Sequence, residues 1–316
     1  MKLYNAIYVA TIATLCSCGG NKSAATYTLN TNFEKEITAT DTVLPTTALF
    51  SVDRWCLHNN ELVILSRNTD KVLFRLDAST GNVVDSIGRM GEGPDEFVAP
   101  ELLNSREIMV ADNVKRCVFN VTATGISKAD DFGDNILPIN YPFTVDYPYL
   151  GYVTKVQTDH VVFLQDITTG EVTDSLNLAD SELPQQLSSP DCVVTGNSSH
   201  MVCAWQGTEK FWIASVSDHK ISQVKKYIGS SEVGNTQFYY VGADCGENGF
   251  ALLSMKGVDP TAPDVKPNSV EIYDYDGTPK LKINLNFIAY SMLYDEANNR
   301  VFLLSMADEQ IHVVNF

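Results

Sequence analysis

The sequence predicts an all-β protein, a six-bladed β-propeller in one domain. Three observations carry that expectation. Strand-like apolar runs recur in groups of three, the groups repeat at a near-constant interval, and amphipathic helical periodicity is scarce after the N-terminus. The first runs of the groups begin at Glu61, Glu107, Tyr149, His200, Gly249 and Arg300. Their spacing is about 42–51 residues, the length a small four-stranded blade requires when it cannot bury its faces alone.

The groups read as ELVIL (61–65), KVLFRLD (71–77) and NVVDSIG (82–88), then EIMVAD (107–112), RCVFNV (116–121) and a weaker strand after Gly125. The third is YLGYV (149–153), HVVFLQD (160–166) and EVTDSLNL (171–178), and the fourth HMVCAW (200–205), KFWIASV (210–216) and KISQVKKYIG (220–229). The fifth is GFALLSM (249–255), SVEIYDYD (269–276) and PKLKINL (279–285), and the sixth only RVFLLSM (300–306) and QIHVVNF (310–316). Turns such as DASTG, DITTG and DYDGT follow the middle runs, where an aspartate can bond its own backbone and glycine accepts positive φ. Apolar segments between groups, such as FSVDRW from Phe50 and FYYVGA from Phe238, supply inner strands. The sixth group lacks an outer strand. Pairing EITATDTVL (36–44) with it closes the ring and removes two edges. A two-sheet sandwich followed by a second all-β domain is the competing architecture; a parallel α/β fold lacks its helices.

The chain has 316 residues, of which 44% are hydrophobic, enough for a sizeable core. Residues 1–15 combine Lys2 with an apolar run too short for a convincing membrane span. LCSC follows, with Leu15 and Ser17 preceding Cys18 as a bacterial lipoprotein signal requires, so residues 1–17 read as a signal peptide and Cys18 as the acylated residue. A buried N-terminal helix is the alternative. Residues 18–35 read as anchor and polar tether, and 36–316 as the propeller. The expected location is the cell envelope, with the membrane as a partner through the lipid. Cleavage removes one lysine and no acid, taking the formal charge of −17 to −18. With no basic cluster to neutralise phosphates, nucleic acid is not an expected partner. Cys56, Cys117, Cys192, Cys203 and Cys245 form no CxxC pair, and Cys117, Cys192 and Cys203 read as small core residues.

SIGRMGEGPDEF (86–97) is the densest motif. It lacks the lysine and helix of a phosphate loop and the spacing of an EF-hand, although Asp95 and Glu96 leave a divalent cation open. As scaffold, Gly88, Gly91 and Gly93 reverse the chain, Pro94 fixes φ, Phe97 anchors the crossing into the second blade, and Arg89 pairs with Glu92 or Glu96. IGRMGEGPDEF resembles the IGRxGxGPxEF signature of six-bladed β-propeller lipoproteins of Bacteroidales, a group similar to NHL-repeat and TolB-like propellers. The resemblance covers the chain from about Glu36 onward and implies fold and envelope location rather than an activity. GGNKS after Cys18 lacks the acids of surface-displayed relatives, which favours a periplasm-facing anchor.

No catalytic constellation stands out. The five histidines lie outside metal motifs, and there is no GxSxG elbow. Paired acids such as Asp130/Asp131 and Asp274/Asp276 have the residue type of glycoside chemistry, although Asp274 and Asp276 read more strongly as a hairpin turn. Aromatic clusters are the better sign of recognition: Tyr141, Tyr147, Tyr149 and Tyr152 around Pro142 and Pro148, and Phe238 to Tyr240, each weighed against ordinary core packing. The expectation is a non-catalytic binding or interaction scaffold for a glycan, a peptide or an envelope protein. The alternative is a carbohydrate- or peptide-directed hydrolase or lyase working at the propeller funnel.

Overall fold

A computed structural model describes Lys22 and residues 24–44, 51–104, 107–122, 125–134, 136, 139, 142–156, 159–179, 192–229, 238–256 and 268–316. Cys18 and Tyr141 lie outside the described residues. Six antiparallel sheets follow one another around an axis. From inner to outer strand, blade one is Arg54–His58, Glu61–Leu65, Leu73–Asp77 and Val83–Ile87. Blade two is Pro100–Asn104, Ile108–Asp112, Cys117–Thr122 and Gly125–Asp131, and blade three Phe143–Asp146, Tyr149–Val156, Asp159–Asp166 and Val172–Asn177. Blade four is Cys192–Gly196, His200–Trp205, Lys210–Ser217 and Lys220–Ile228, and blade five Tyr240–Cys245, Gly249–Ser254, Ser269–Asp274 and Pro279–Asn284. Blade six supplies Ala289–Asp295, Arg300–Ser305 and Ile311–Asn315 and takes its fourth strand, Asp41–Val43, from the N-terminal region.

The apolar runs follow from burial on both faces. In Glu61–Leu65, Leu62 and Ile64 pack toward blade six, whereas Val63 and Leu65 pack toward blade two. Arg300–Ser305 splits the same way, with Val301 and Leu303 against blade five and Phe302 and Leu304 against blade one. Alternate side chains of one strand thus serve two different cores. A second strand of this kind cannot afford a polar face, which is why its sequence is nearly continuous in apolar residues.

The N-terminal region departs from the expected single closing strand. Ala25–Thr28, within the stretch read as a tether, lies parallel to the outer strand of blade four, with Ala25 opposite Lys225. Lys35–Thr38 lies parallel to the outer strand of blade five. Only Asp41–Val43 of the 36–44 stretch joins blade six, antiparallel, with Val43 opposite His312. The segment therefore runs as a strap over three rims. Leu44 completes the seam, its N–H donating to the Ile311 carbonyl at 2.8 Å and its side chain buried between blades six and one. Across the seam, Asp41 Oδ2 accepts from His312 Nδ1 at 2.6 Å and Asp41 Oδ1 from Asn286 Nδ2 at 3.2 Å. Burial pushes the Asp41 carboxyl up, but the bonds from His312 and Asn286 outweigh it and hold the group below the ordinary carboxylate range.

The 86–97 stretch connects blade one to blade two. Gly88 has φ +76°, and a Cβ there would lie 2.7 Å from the Phe97 ring. At Gly91 a Cβ would strike the Glu96 carboxylate, which instead accepts the Gly93 N–H at 2.9 Å. Phe97 is fully buried between the two blades and meets Phe119 edge-on, centroids 5.3 Å apart. Lys115 donates to the Gly93 and Glu96 carbonyls and draws the loop onto blade two. Arg89 does not pair with Glu92 or Glu96 as the sequence led us to expect. It is exposed, and its carbonyl receives the Phe97 N–H at 2.8 Å. The aspartates of the outer turns act as anticipated. Asp77 Oδ1 accepts from the Ser79 and Thr80 N–H groups, and Asp166 Oδ1 from those of Thr168 and Thr169.

Two outcomes are expected. Phe97→Ala removes a ring shared by two blades and should destabilise the protein by roughly 3–5 kcal/mol in denaturant unfolding, the usual range for a buried phenylalanine. Asp41→Asn should lower the melting temperature at neutral pH. A depressed carboxyl stabilises the fold above its unfolded value of about 3.9 and ceases to do so as pH falls through the folded value. Melting curves between about pH 2.5 and 7 should therefore converge at the acid end.

Candidate functional site: the axial channel

The six inner strands run side by side around the axis, and the described residues there line three spaces that share wall residues. At the face where the inner strands begin, a mouth of about 720 Å³ is lined by Asp53, Arg54, His160, Gln206 and Tyr290 among others. A waist of about 210 Å³ follows, bounded by Cys56, Phe143, Thr195, Asp244 and Leu293. Arg54 and Ser291 border both. Where the inner strands end, a cleft of about 770 Å³ opens among blades two to five and shares Gly196 with the waist.

Charges at the first mouth are locked into an inter-blade network. Glu101, 5% exposed, accepts from Arg54 Nε at 3.2 Å and from an Arg67 Nη at 2.9 Å. Asp53 Oδ2 takes the Arg67 backbone N–H at 2.6 Å. Nearby, Trp55 Nε1 donates to Ser291 Oγ at 2.8 Å, tying blade one to blade six beside the axis.

The waist holds one unusual acid. Asp244 stands half-buried on the inner strand of blade five, facing the waist. Burial pushes its carboxyl up to about 6, against the lowering effect of bonds from the Tyr294 N–H at 2.8 Å and the Cys245 N–H at 3.0 Å. Burial likewise pushes the thiols of Cys56 and Cys245 up to about 12, with the Asp244 charge adding to the effect, so neither is a thiolate nucleophile at neutral pH. All five described cysteines are free. No group of three or more His, Cys, Asp or Glu side chains among the described residues is placed to hold a metal ion.

The larger cleft is lined by Glu107, Asn120, Asp130, Thr144, Asp146, Tyr147 and Asn197. Tyr147 precedes Pro148 across a cis peptide bond and donates its hydroxyl to Asp130 Oδ2 at 2.5 Å. Asn120 Oδ1 and Thr144 Oγ1 are buried and meet no hydrogen-bond partner among the described residues. The chemistry open to a ligand is that of the Asp130 and Asp146 carboxylates beside the Tyr147 ring, the Asn120 and Thr144 oxygens being shut off from solvent.

Among the described tyrosines singled out from the sequence, only Tyr147 is placed at this cleft. Tyr149 stacks on His219 of blade four, centroids 3.4 Å apart and planes 12° from parallel, so it joins two blades. Tyr152 is a correction: at 1% exposure it cannot meet a ligand, and its hydroxyl donates to Gln165 Oε1 inside blade three. Tyr239 and Tyr240 are likewise buried, and Phe238 beside them is exposed. The paired acids also separate, Asp130 turning to Tyr147 and Asp131 to Lys128, while Asp276 caps its own turn through the Thr278 N–H. Asp244 escaped notice in the sequence, where the sole signal was a carboxylate following Gly242 and Ala243 within an inner strand.

No family model matches the chain, and no curated protein sequence does. Solved structures do superpose on it. An exported protein from Bacteroides fragilis aligns with a TM-score of 0.56 at 14% identity, covering 92% of this chain and 99% of that one. A gluconolactonase from Xanthomonas campestris gives 0.52 at 12% identity, over 88% and 89%. The structure of U3-55K gives 0.52 at 11% identity, over 87% and 98%. At these identities the likeness concerns the fold.

The Asp244 carboxyl yields a signed expectation. Its folded value lies above the unfolded one of about 3.9, so it contributes most below that pH and its contribution is lost as pH rises through about 6. Stability measured against pH should fall across this window in the wild type relative to Asp244→Asn. Parallel curves for the two proteins would show that Asp244 titrates normally.

Proposed function

We propose that this chain is a non-catalytic binding scaffold of the cell envelope, anchored through an acylated Cys18 and facing the periplasm, with its ligand site in the 770 Å³ cleft. The cleft's lining carries the reading. Carboxylates of Asp130 and Asp146 beside the half-buried Tyr147 ring offer acceptors next to a stacking face. That combination suits a ligand rich in hydroxyl or amide donors, a glycan or a peptide. The anchor rests on LCSC at residues 15–18 and on the resemblance of residues 87–97 to a lipoprotein signature.

A second reading is favoured by one observation, the raised carboxyl of Asp244 in the waist. A carboxylic acid that holds its proton near pH 6 can serve as a general acid. The Xanthomonas neighbour is a gluconolactonase, so this architecture also accommodates catalysis.

Screening the mature protein against glycans and peptides, with and without divalent cations, separates the two. Saturable binding without turnover that weakens about tenfold or more in Tyr147→Ala, at unchanged melting temperature, supports the scaffold; loss of one aromatic stacking partner has this size. Tyr149→Ala should instead lower the melting temperature. Turnover abolished by Asp244→Asn would replace the scaffold with the enzyme.

A further inference from the structure

The outer rim of the ring is electrostatically lopsided. The fourth strand of blade four, Lys220–Ile228, carries Lys220, Lys225 and Lys226, and that of blade five, Pro279–Asn284, carries Lys280 and Lys282. The strap strands outside them add Lys35 and, against it, Glu36 opposite Lys282, with Glu34 just before, so lysines outnumber acids six to two. The outer strands of the other blades lean the other way. Blade one has Asp85 alone, blade two has Lys128 against Asp130 and Asp131, blade three has Asp174 alone and blade six has Asp41 alone. In a chain of formal charge −17, six lysines in two adjacent rims run against the overall balance. Not all six are available. Lys280 is held by Glu34 and Asp274, and Lys226 lies over the Trp212 ring. Lys220 donates to the Thr173 carbonyl while remaining exposed, and Lys225 and Lys282 stand half-buried along their strands. Lys35 of the strap is exposed on blade five.

The strap enters on the same side. Lys22 bonds Asp174 of blade three and, at 2.6 Å, the Ile221 carbonyl of blade four, and the next described strand lies on blade four. Three residues lie between Cys18 and Lys22, and the four extended residue steps span at most about 14 Å. A lipid on Cys18 therefore holds the blade-four rim near the bilayer, close to the range of about 8–10 Å over which charges act in physiological salt. From the coincidence of anchor and lysines we infer that the outer rim of blades four and five is a membrane-facing surface that engages anionic phospholipid headgroups through Lys35, Lys220, Lys225 and Lys282. The acidic rims of blades one and two point away from the bilayer, and the molecule stands on its edge. The placement rests on the anchored reading, whereas the charge pattern stands independently of it.

The experiment uses the acylated protein in vesicles of phosphatidylcholine with and without phosphatidylglycerol, with the mass of the Cys18 peptide read from the same preparation. Fluorophores are placed through Lys225→Cys, Lys282→Cys and Asp85→Cys, with the unsubstituted protein as labelling control, and a headgroup quencher is added to the lipid. Quenching at positions 225 and 282 several-fold above that at 85, and stronger in anionic vesicles, is expected. The triple variant Lys220→Glu, Lys225→Glu, Lys282→Glu, made with each label's own position left as Cys, should erase the difference at unchanged melting temperature, since these side chains stand at the rim. Equal quenching at all three positions, or no response to the triple variant, overturns the inference. Should the peptide carry no acyl chains, the anchor reading fails on its own. Flotation of the full chain then decides the rim: salt-sensitive binding to anionic but not neutral vesicles, weakened about tenfold or more by the triple variant, upholds it, and its absence overturns it.

Discussion

Burial of the second strands on both faces is the constraint from which the remaining architecture follows. A sheet whose middle strands present Leu62 and Ile64 to one side and Val63 and Leu65 to the other is stable only between two neighbours. Repeating that requirement six times leaves a ring as the arrangement without an exposed apolar face. The ring in turn demands a seam, and Asp41–Val43 with Leu44 supplies it. The axial channel exists because the inner strands meet at an angle set by packing farther out, so its walls are free to carry polar groups that the cores exclude. Asp244 and the Arg54–Glu101–Arg67 network occupy that space.

Much of this was legible in the sequence, and the failures have physical causes. Segments such as ELVIL, GFALLS and RVFLLS announce themselves because two-sided burial leaves an unbroken apolar run. Turn aspartates such as Asp77 and Asp166 are legible because their bonds are local. Ala25–Thr28, read as tether, gave no such signal, and Glu36–Thr38 was read as part of one strand closing blade six rather than as a strand on blade five. Their side chains are almost wholly exposed, and they are held to their blades by backbone pairing, which any sequence can provide. The expectation of a plain tether failed at Ala25–Thr28 for want of any apolar pattern.

The candidate site was less legible than the fold because its members come from separate blades. Tyr147 could be singled out as an aromatic near prolines, but so could Tyr149 and Tyr152, and composition does not reveal which ring faces a cleft. Position along the strand decides it: Tyr147 sits in the turn after Phe143–Asp146, whereas Tyr152 lies four-deep in a central strand beside Phe163. Asn120, Asp130 and Thr144 meet at the cleft from two blades, a convergence visible only in three dimensions.

The seam also has a kinetic meaning. His312 and Asp41, which touch across it, are 271 residues apart in sequence. Within a blade, neighbouring strands are joined by turns of a few residues and can pair early, since closing a short loop is rapid. The seam has no such local route. Its contacts are among the least local the chain makes, and non-local pairing is what slows folding. Until it forms, an open arc presents two unpaired ends, with Phe302 and Leu304 of blade six facing no partner on one of them. The interval between assembling blades and joining the ends is thus when the chain is most exposed to pairing with a neighbour.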